Sequence, residues 1–127
     1  ETLGTLSGMV APGGWVIVGE PYWLQQPSAE YLAASGVGKD FFGTHFGNAE
    51  AGEQRDLELI HTFVSSKDDW DRYEGLQWYA AAEYARCHPD DPDVPELLER
   101  VAKDKALYLR WGRETVGWAI YVFRHRG

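Results

Sequence analysis

The residues best suited to hold or act on a small molecule fall in three short stretches. In "VAPGGWVIVGEPYW", residues 10–23, an apolar run closes in Glu20 and is followed at once by Pro21, Tyr22 and Trp23. A carboxylate there can orient a substrate or take its proton, and aromatic faces beside it suit a cationic or apolar body. "FFGTHFG" places His45 in a Gly-rich segment, and loop residues at the open end of a sheet can reach substrate. "SSKDDWDRYE" supplies Trp70 and Tyr73, which would wall the same pocket. Each has a structural alternative. Glu20 could cap a helix or pair with Arg110 or Arg113, and aromatic stripes at helical spacing commonly form core, as Trp111 and Trp118 are expected to do.

Other constellations carry less. "HPDDPD", with His88, Asp90, Asp91 and Asp93, has metal-ligand residue types, but acids and prolines between two helices read as a solvated loop with caps. No metal site is expected. His61 lies inside an apolar strand and reads as a satisfied core histidine. Cys87 and His88 are adjacent at a helix end, so they point apart rather than forming a nucleophile and base. Arg110, Arg113, Arg124 and Arg126 read as helix-end and tail charges.

These side chains need elements to position them. Residues 1–9, with Leu3, Leu6 and then Val10 at helical spacing, read as the last turns of a helix stopped by Pro12, Gly13 and Gly14. The chain thus begins in mid-element. Trp15, Val16, Ile17, Val18 and Gly19 show no polar alternation, which predicts a parallel strand of an α/β sheet, covered on both faces. Ser28 caps a short helix over 28–35 that ends at the Gly36-Val37-Gly38 break. Residues 39–56 read as an irregular loop with a helical turn over 46–51.

A second, mostly buried strand is predicted over 57–65, with Leu57, Leu59, His61 and Phe63 on one face. Ser66 or Asp68 then caps a long helix whose stripe is Trp70, Tyr73, Gln77, Ala81 and Tyr84, stopped before Pro89. Asp93 and Glu96 have capping-box spacing, with Pro95 in the first turn of a helix that runs to about residue 115. A strand of β-formers over 117–124 closes the chain.

Composition bounds the rest. A chain of 127 residues, 44% hydrophobic and with six Trp, seven Tyr and five Phe, suits a single domain over 1–127 with its own core. A formal charge of −8 disfavours nucleic acid and anionic lipid as partners. One cysteine, Cys87, points to a reducing, cytoplasmic setting, and no apolar run reaches the roughly 18 residues of a membrane span.

Three pieces of the chain together carry a family resemblance. "VAPGGWVIVGEPYW" resembles the fifth-strand region of class I S-adenosylmethionine-dependent methyltransferases, where a Pro-Gly-Gly turn feeds an apolar strand ending in Glu-Pro. "YLRWGRETVGWAIYVFR" is similar to the helix and final antiparallel strand of their small-molecule subgroup, and "SSKDDWDRYE" to the segment after its sixth strand. The resemblance implies a partial Rossmann-like α/β sheet made of the fifth, sixth and antiparallel seventh strands, with a two-helix insertion before the last. It implies S-adenosylmethionine as cofactor of the full-length enzyme, a small-molecule substrate, Glu20 as the catalytic residue, and Tyr22, Trp23, Trp70 and Tyr73 around the substrate, which the loop residue His45 would also reach.

The family's Gly-rich cofactor turn and ribose-binding acid have no counterpart here. The resemblance is therefore to a C-terminal, substrate-side half, expected to bind no cofactor and to be inactive alone. Without its neighbouring half, the strand from Trp15 to Gly19 would be a bare apolar edge, and a homodimer through that edge is expected. A non-catalytic α/β binding or assembly module is the alternative reading.

Overall fold

The computed structural model describes residues 2–127. Helix α1 (Thr2–Met9) leads into strand β1 (Trp15–Trp23) through a tight turn in which Gly14 N–H donates to Ala11 O at 2.8 Å. Gly13 N–H donates to His125 O, and His125 N–H to Gly14 O, both at 2.9 Å, so the turn is fastened to the far end of strand β3 (Val116–His125). Glu20 to Trp23 are part of β1, not an appendix to it.

β3 lies in the middle of a three-stranded sheet of order β1-β3-β2, where β2 is Leu57–Val64. Both outer strands pair with it antiparallel, β1 from Trp15 opposite Arg124 to Trp23 opposite Val116. The outer strands therefore run the same way but never touch. The expected parallel pairing of β1 is absent among the described residues. Its expected cover on both faces is absent too: Val16 is buried, whereas Ile17 is 68% exposed.

Alternation along the paired strands sorts the sheet into two faces. Val16, Val18, Glu20 and Tyr22 share one with Phe123, Tyr121, Ala119 and Gly117. This is the core face, where Leu3 of α1 and Leu57 join Val16, Tyr22, Ala119, Tyr121 and Phe123. Phe123 and Leu57 are completely buried, and truncating a phenylalanine so placed costs about 3–5 kcal/mol. Trp15, Ile17, Phe63 and Ile120 stand on the other, open face.

A β-bulge between Leu59 and His61 overturns the one-face reading of β2. The extra residue flips the pattern, so Leu57 and Leu59 face the core while His61 and Phe63 point outward. His61 is exposed, its ring 4.3 Å from that of Phe63, and is not a core histidine. Much of β2 is likewise exposed.

Helix α2 (Ala29–Ser35) has the expected Ser28 cap and ends at Gly36. The segment expected to be largely irregular contains a full helix, α3 (His45–Glu53), capped by Thr44. Its packing overrides a poor intrinsic propensity: α3 lies against the sheet, with Phe123 directly over Gly52.

Two helices form the excursion between β2 and β3. In α4 (Lys67–Cys87), Ser66 and Asp69 exchange side-chain-to-backbone hydrogen bonds in a capping box, at 3.0 and 2.9 Å. Helix α5 (Val94–Leu107) has no such box, because Asp93 is in the helical region of φ/ψ and its side chain makes no cap bond. A π-helical turn (Tyr108–Gly112) and a last helical turn, α6 (Arg113–Thr115), carry α5 into β3. No helix among the described residues is long and apolar enough to cross a membrane.

Candidate functional site

The carboxyl ends of β1 and β2 and the start of β3 form one edge of the sheet, and the α4–α5 pair projects from it. Two adjoining hollows lie there, of about 420 Å³ each. Ser65, Asp69 and Trp118 line the outer one, and Trp70 and Tyr73 are shared by both. The inner hollow is closed by Trp78 and Glu74 of α4, Asp104 of α5 and Tyr108 of the π turn, with Tyr31 and Phe42 opposite. Volume and lining both suit a small organic molecule.

Aromatic rings give the inner hollow its shape. The Tyr108 ring stands 6.4 Å from Trp70 and 5.9 Å from Trp78, and Trp70 meets Tyr73 edge-on at 6.4 Å. Helical geometry places Trp70, Glu74 and Trp78 on one stripe at four-residue spacing. The inward stripe of α4 is therefore rotated from the sequence expectation, leaving Tyr73 63% exposed and Gln77 exposed.

Tyr108 is fixed from behind. Its hydroxyl donates to Asp71 Oδ1 at 2.7 Å, and Arg113 forks onto the same carboxylate at 2.9 and 3.1 Å. The Arg113 hydrogen bonds, then that of Tyr108, hold the Asp71 carboxyl below its usual range. Burial, reinforced by Asp71, drives the Tyr108 phenol far above its usual value, so it stays a hydrogen-bond donor. Glu74 has no such partner: burial, then the like charge of Asp104, raises its carboxyl pKa. Trp70 Nε1 is buried without a hydrogen-bond partner among the described residues.

A second polar group sits on the core face beside Pro21. His45 Nδ1 lies 2.7 Å from the Tyr121 hydroxyl, and Asn48 Nδ2 donates to that hydroxyl and to Pro21 O, each at 3.2 Å. The His45 and Tyr22 rings are 4.9 Å apart. Burial raises the Tyr121 phenol pKa; Asn48 opposes it, while Tyr22 and Glu20 add to it. Glu20 thus belongs to this group electrostatically, and among the described residues its side chain makes no hydrogen bond or ion pair. The suggested pairing with Arg113 does not form, because Arg113 is engaged by Asp71.

The structure divides the residues singled out in the sequence. Trp70 and Tyr73 meet in the hollows, whereas Glu20, Tyr22 and His45 cluster on the core face. Trp23 packs between Tyr31 at 6.2 Å and Phe42 at 4.9 Å, its indole N–H donating to Lys39 O at 2.9 Å. Trp118, read as packing, is 37% exposed and lines the outer hollow. The reading missed Trp78, Glu74, Asp104 and Tyr108; the 70-74-78 spacing was visible, but the pairing with α5 was not.

The four arginines do not gather: Arg113 binds Asp71, Arg126 binds Glu53, and Arg110 and Arg124 stand over Trp111 and Trp15. Cys87 is exposed, and among the described residues no three His, Cys, Asp or Glu side chains converge as for a metal.

No protein-family model matches the chain. It is 30% identical over 120 residues to the uncharacterized protein YjhP of Escherichia coli (strain K12), an alignment covering 92% of this chain and 48% of YjhP. The YjhP crystal structure superposes with a TM-score of 0.84 at 28% identity, over 92% of this chain and 52% of that one. An S-adenosylmethionine-dependent methyltransferase from Geobacter sulfurreducens, solved with S-adenosylhomocysteine, gives a TM-score of 0.85 at 23% identity, over 96% of this chain and 50% of that one. One from Thiobacillus denitrificans, also with S-adenosylhomocysteine, gives 0.86 at 22%, over 98% and 51%.

The chain is thus a homologue of YjhP and has the fold of part of these methyltransferases. It spans about half the length of the proteins it matches. Its own residues do not fit a nucleoside cofactor. No described strand runs through a Gly-rich turn into a helix, and Gly13 and Gly14 lie at the opposite end of the sheet from the hollows.

Proposed function

We propose that this chain is the substrate-side half of an S-adenosylmethionine-dependent methyltransferase that acts on a small molecule. The observation that carries the reading is the position of the two hollows. They lie at the carboxyl edge of the sheet, where open α/β sheets bind ligands, in a fold shared with part of enzymes solved with S-adenosylhomocysteine. The β1-β3-β2 order corresponds in this reading to the fifth, seventh and sixth strands of the family sheet.

The cofactor would be held by sequence outside these 127 residues and would supply the methyl group. What this chain contributes is orientation. Trp70 and Tyr73 wall the substrate, the Tyr108 ring is held in place by its hydroxyl's hydrogen bond to Asp71, and the α4–α5 pair lines one side of the hollow. Positioning of this kind accounts for much of the rate in a transfer between two bound molecules. His45 and Tyr121, one hydrogen bond apart near Glu20, lie on the core face outside both hollows, where they tie α3 to the sheet.

Calorimetric titration of S-adenosylmethionine tests the division of labour. The 127-residue chain should show no binding in the micromolar range, and a longer polypeptide that adds the cofactor-binding half should show it. Micromolar binding by the chain alone would overturn the assignment.

A further inference from the structure

The inner hollow combines aromatic walls with carboxyl groups that make no ion pair among the described residues. Trp70, Trp78 and Tyr108 converge on it from α4 and the π turn, and the edge where these elements meet carries two carboxyl groups, Glu74 and Asp104. Among the described residues neither carboxyl group has an ion-pair partner. Of the neighbouring cations, Arg113 is committed to Asp71 and Lys67 to Glu114, and Lys105 makes no ion pair with either carboxyl group. Lys105 Nζ stands 5.4 Å from the centroid of the Trp78 ring, so that ring already accepts one cation.

Such a site selects by charge. An aromatic face attracts a cation through its quadrupole, more strongly as water is removed, and repels an anion. A neutral apolar molecule would fill the same volume but leave Glu74 and Asp104 facing each other. A cation would relieve that repulsion.

We propose that the inner hollow binds an organic cation, an ammonium or alkylated amine held by Trp70, Trp78 and Tyr108 against Glu74 and Asp104. Taken with the methyl-transfer reading, on which this further step rests, the substrate class is an amine-bearing small molecule. Cation binding itself needs no cofactor, so it can be tested separately.

The test is a tryptophan-fluorescence titration of the 127-residue chain with choline and with 3,3-dimethylbutan-1-ol, its uncharged isostere, at constant ionic strength. Choline should quench saturably and bind at least about threefold tighter than the alcohol, the scale of a cation–π contact at a solvent-open site. Glu74→Gln should weaken choline about fivefold or more without changing the alcohol. Asp104→Asn, at an exposed position, should weaken choline about twofold. Near-ultraviolet circular dichroism confirms that each variant keeps its packing. Equal affinity for the two probes, or unchanged choline binding in a folded Glu74→Gln protein, would overturn the proposal. Either result would leave methyl transfer to be judged by S-adenosylhomocysteine release, and absence of that release would leave the cation preference standing.

Discussion

Gly117 and Gly19 are each overlaid by an aromatic ring, yet alanine should cost far more at one than at the other. A methyl group at 117 would stand 2.5 Å from Tyr22 Cζ and 2.8 Å from Cε1 and Cε2. Carbon atoms rest at about 3.5–4.0 Å, so the ring must retreat by roughly 1 Å. It has little room to do so: Tyr22 is 5% exposed and its ring lies 4.9 Å from that of His45, which is itself hydrogen-bonded to Tyr121. Overpacking of this kind costs about 1–3 kcal/mol, and the tie to α3 places Gly117→Ala at about 2–3. For a domain of this size that lowers Tm by about 5–10 °C. At 19 the methyl group would overlap the Trp118 indole, but that ring lies on the open face, partly exposed, and can swing outward. Gly19→Ala should therefore stay within about 1 kcal/mol, or roughly 3 °C. Thermal denaturation followed by circular dichroism measures both. Equal shifts, or a larger one for Gly19→Ala, would refute the distinction between a trapped ring and a free one.

Glu20→Gln in the intact enzyme should lower turnover about ten- to a thousandfold with the fold unchanged, and unchanged turnover would return Glu20 to a structural role. Two carboxyl groups should show opposite pH dependence in urea unfolding. Asp71 is held below its ordinary 3.8, so its contribution is present above that value and is lost as pH falls through the lowered pKa; the deficit of Asp71→Asn should shrink on acidification. Glu74 is raised above its ordinary 4.5, so ionising it costs stability as pH rises; Glu74→Gln should gain on the parent between acid and neutral pH, and a pH-independent difference would contradict the burial argument. We also propose that the chain alone self-associates through β1, whose outer edge has no described backbone partner from Trp15 to Gly19; light scattering should give at least twice 14.4 kDa, and Ile17→Lys, at a 68% exposed position, should weaken the assembly. A monomer at micromolar concentration would dispose of that idea.

Local chemistry was legible in the residues. Pro12, Gly13 and Gly14 had to turn, and Ser28 and Ser66 had to cap, because their side chains act within three or four residues. What the sequence concealed depends on distant partners. The bulge after Leu59 exists because β2 must keep register with Phe123 and Tyr121, far along the chain, and that flip decides that His61 faces outward. Thr44 and His45 looked like loop before a single helical turn, yet all of α3 forms because Gly52 admits the Phe123 ring and His45 and Asn48 reach Tyr121. The aromatic hollow was half visible: Trp70, Glu74 and Trp78 recur at helical spacing, but Tyr108 joins them only through a π turn, which periodicity does not announce.

The most direct measurement is S-adenosylhomocysteine release by the longer polypeptide supplied with S-adenosylmethionine and a panel of small amines, for the parent and for Trp70→Ala. Trp70 borders both hollows. The expected result is release by the parent, with a loss of at least about tenfold in kcat/KM for Trp70→Ala and unchanged affinity for S-adenosylmethionine. Parent-like turnover in Trp70→Ala would contradict the placing of the substrate at the α4–α5 edge.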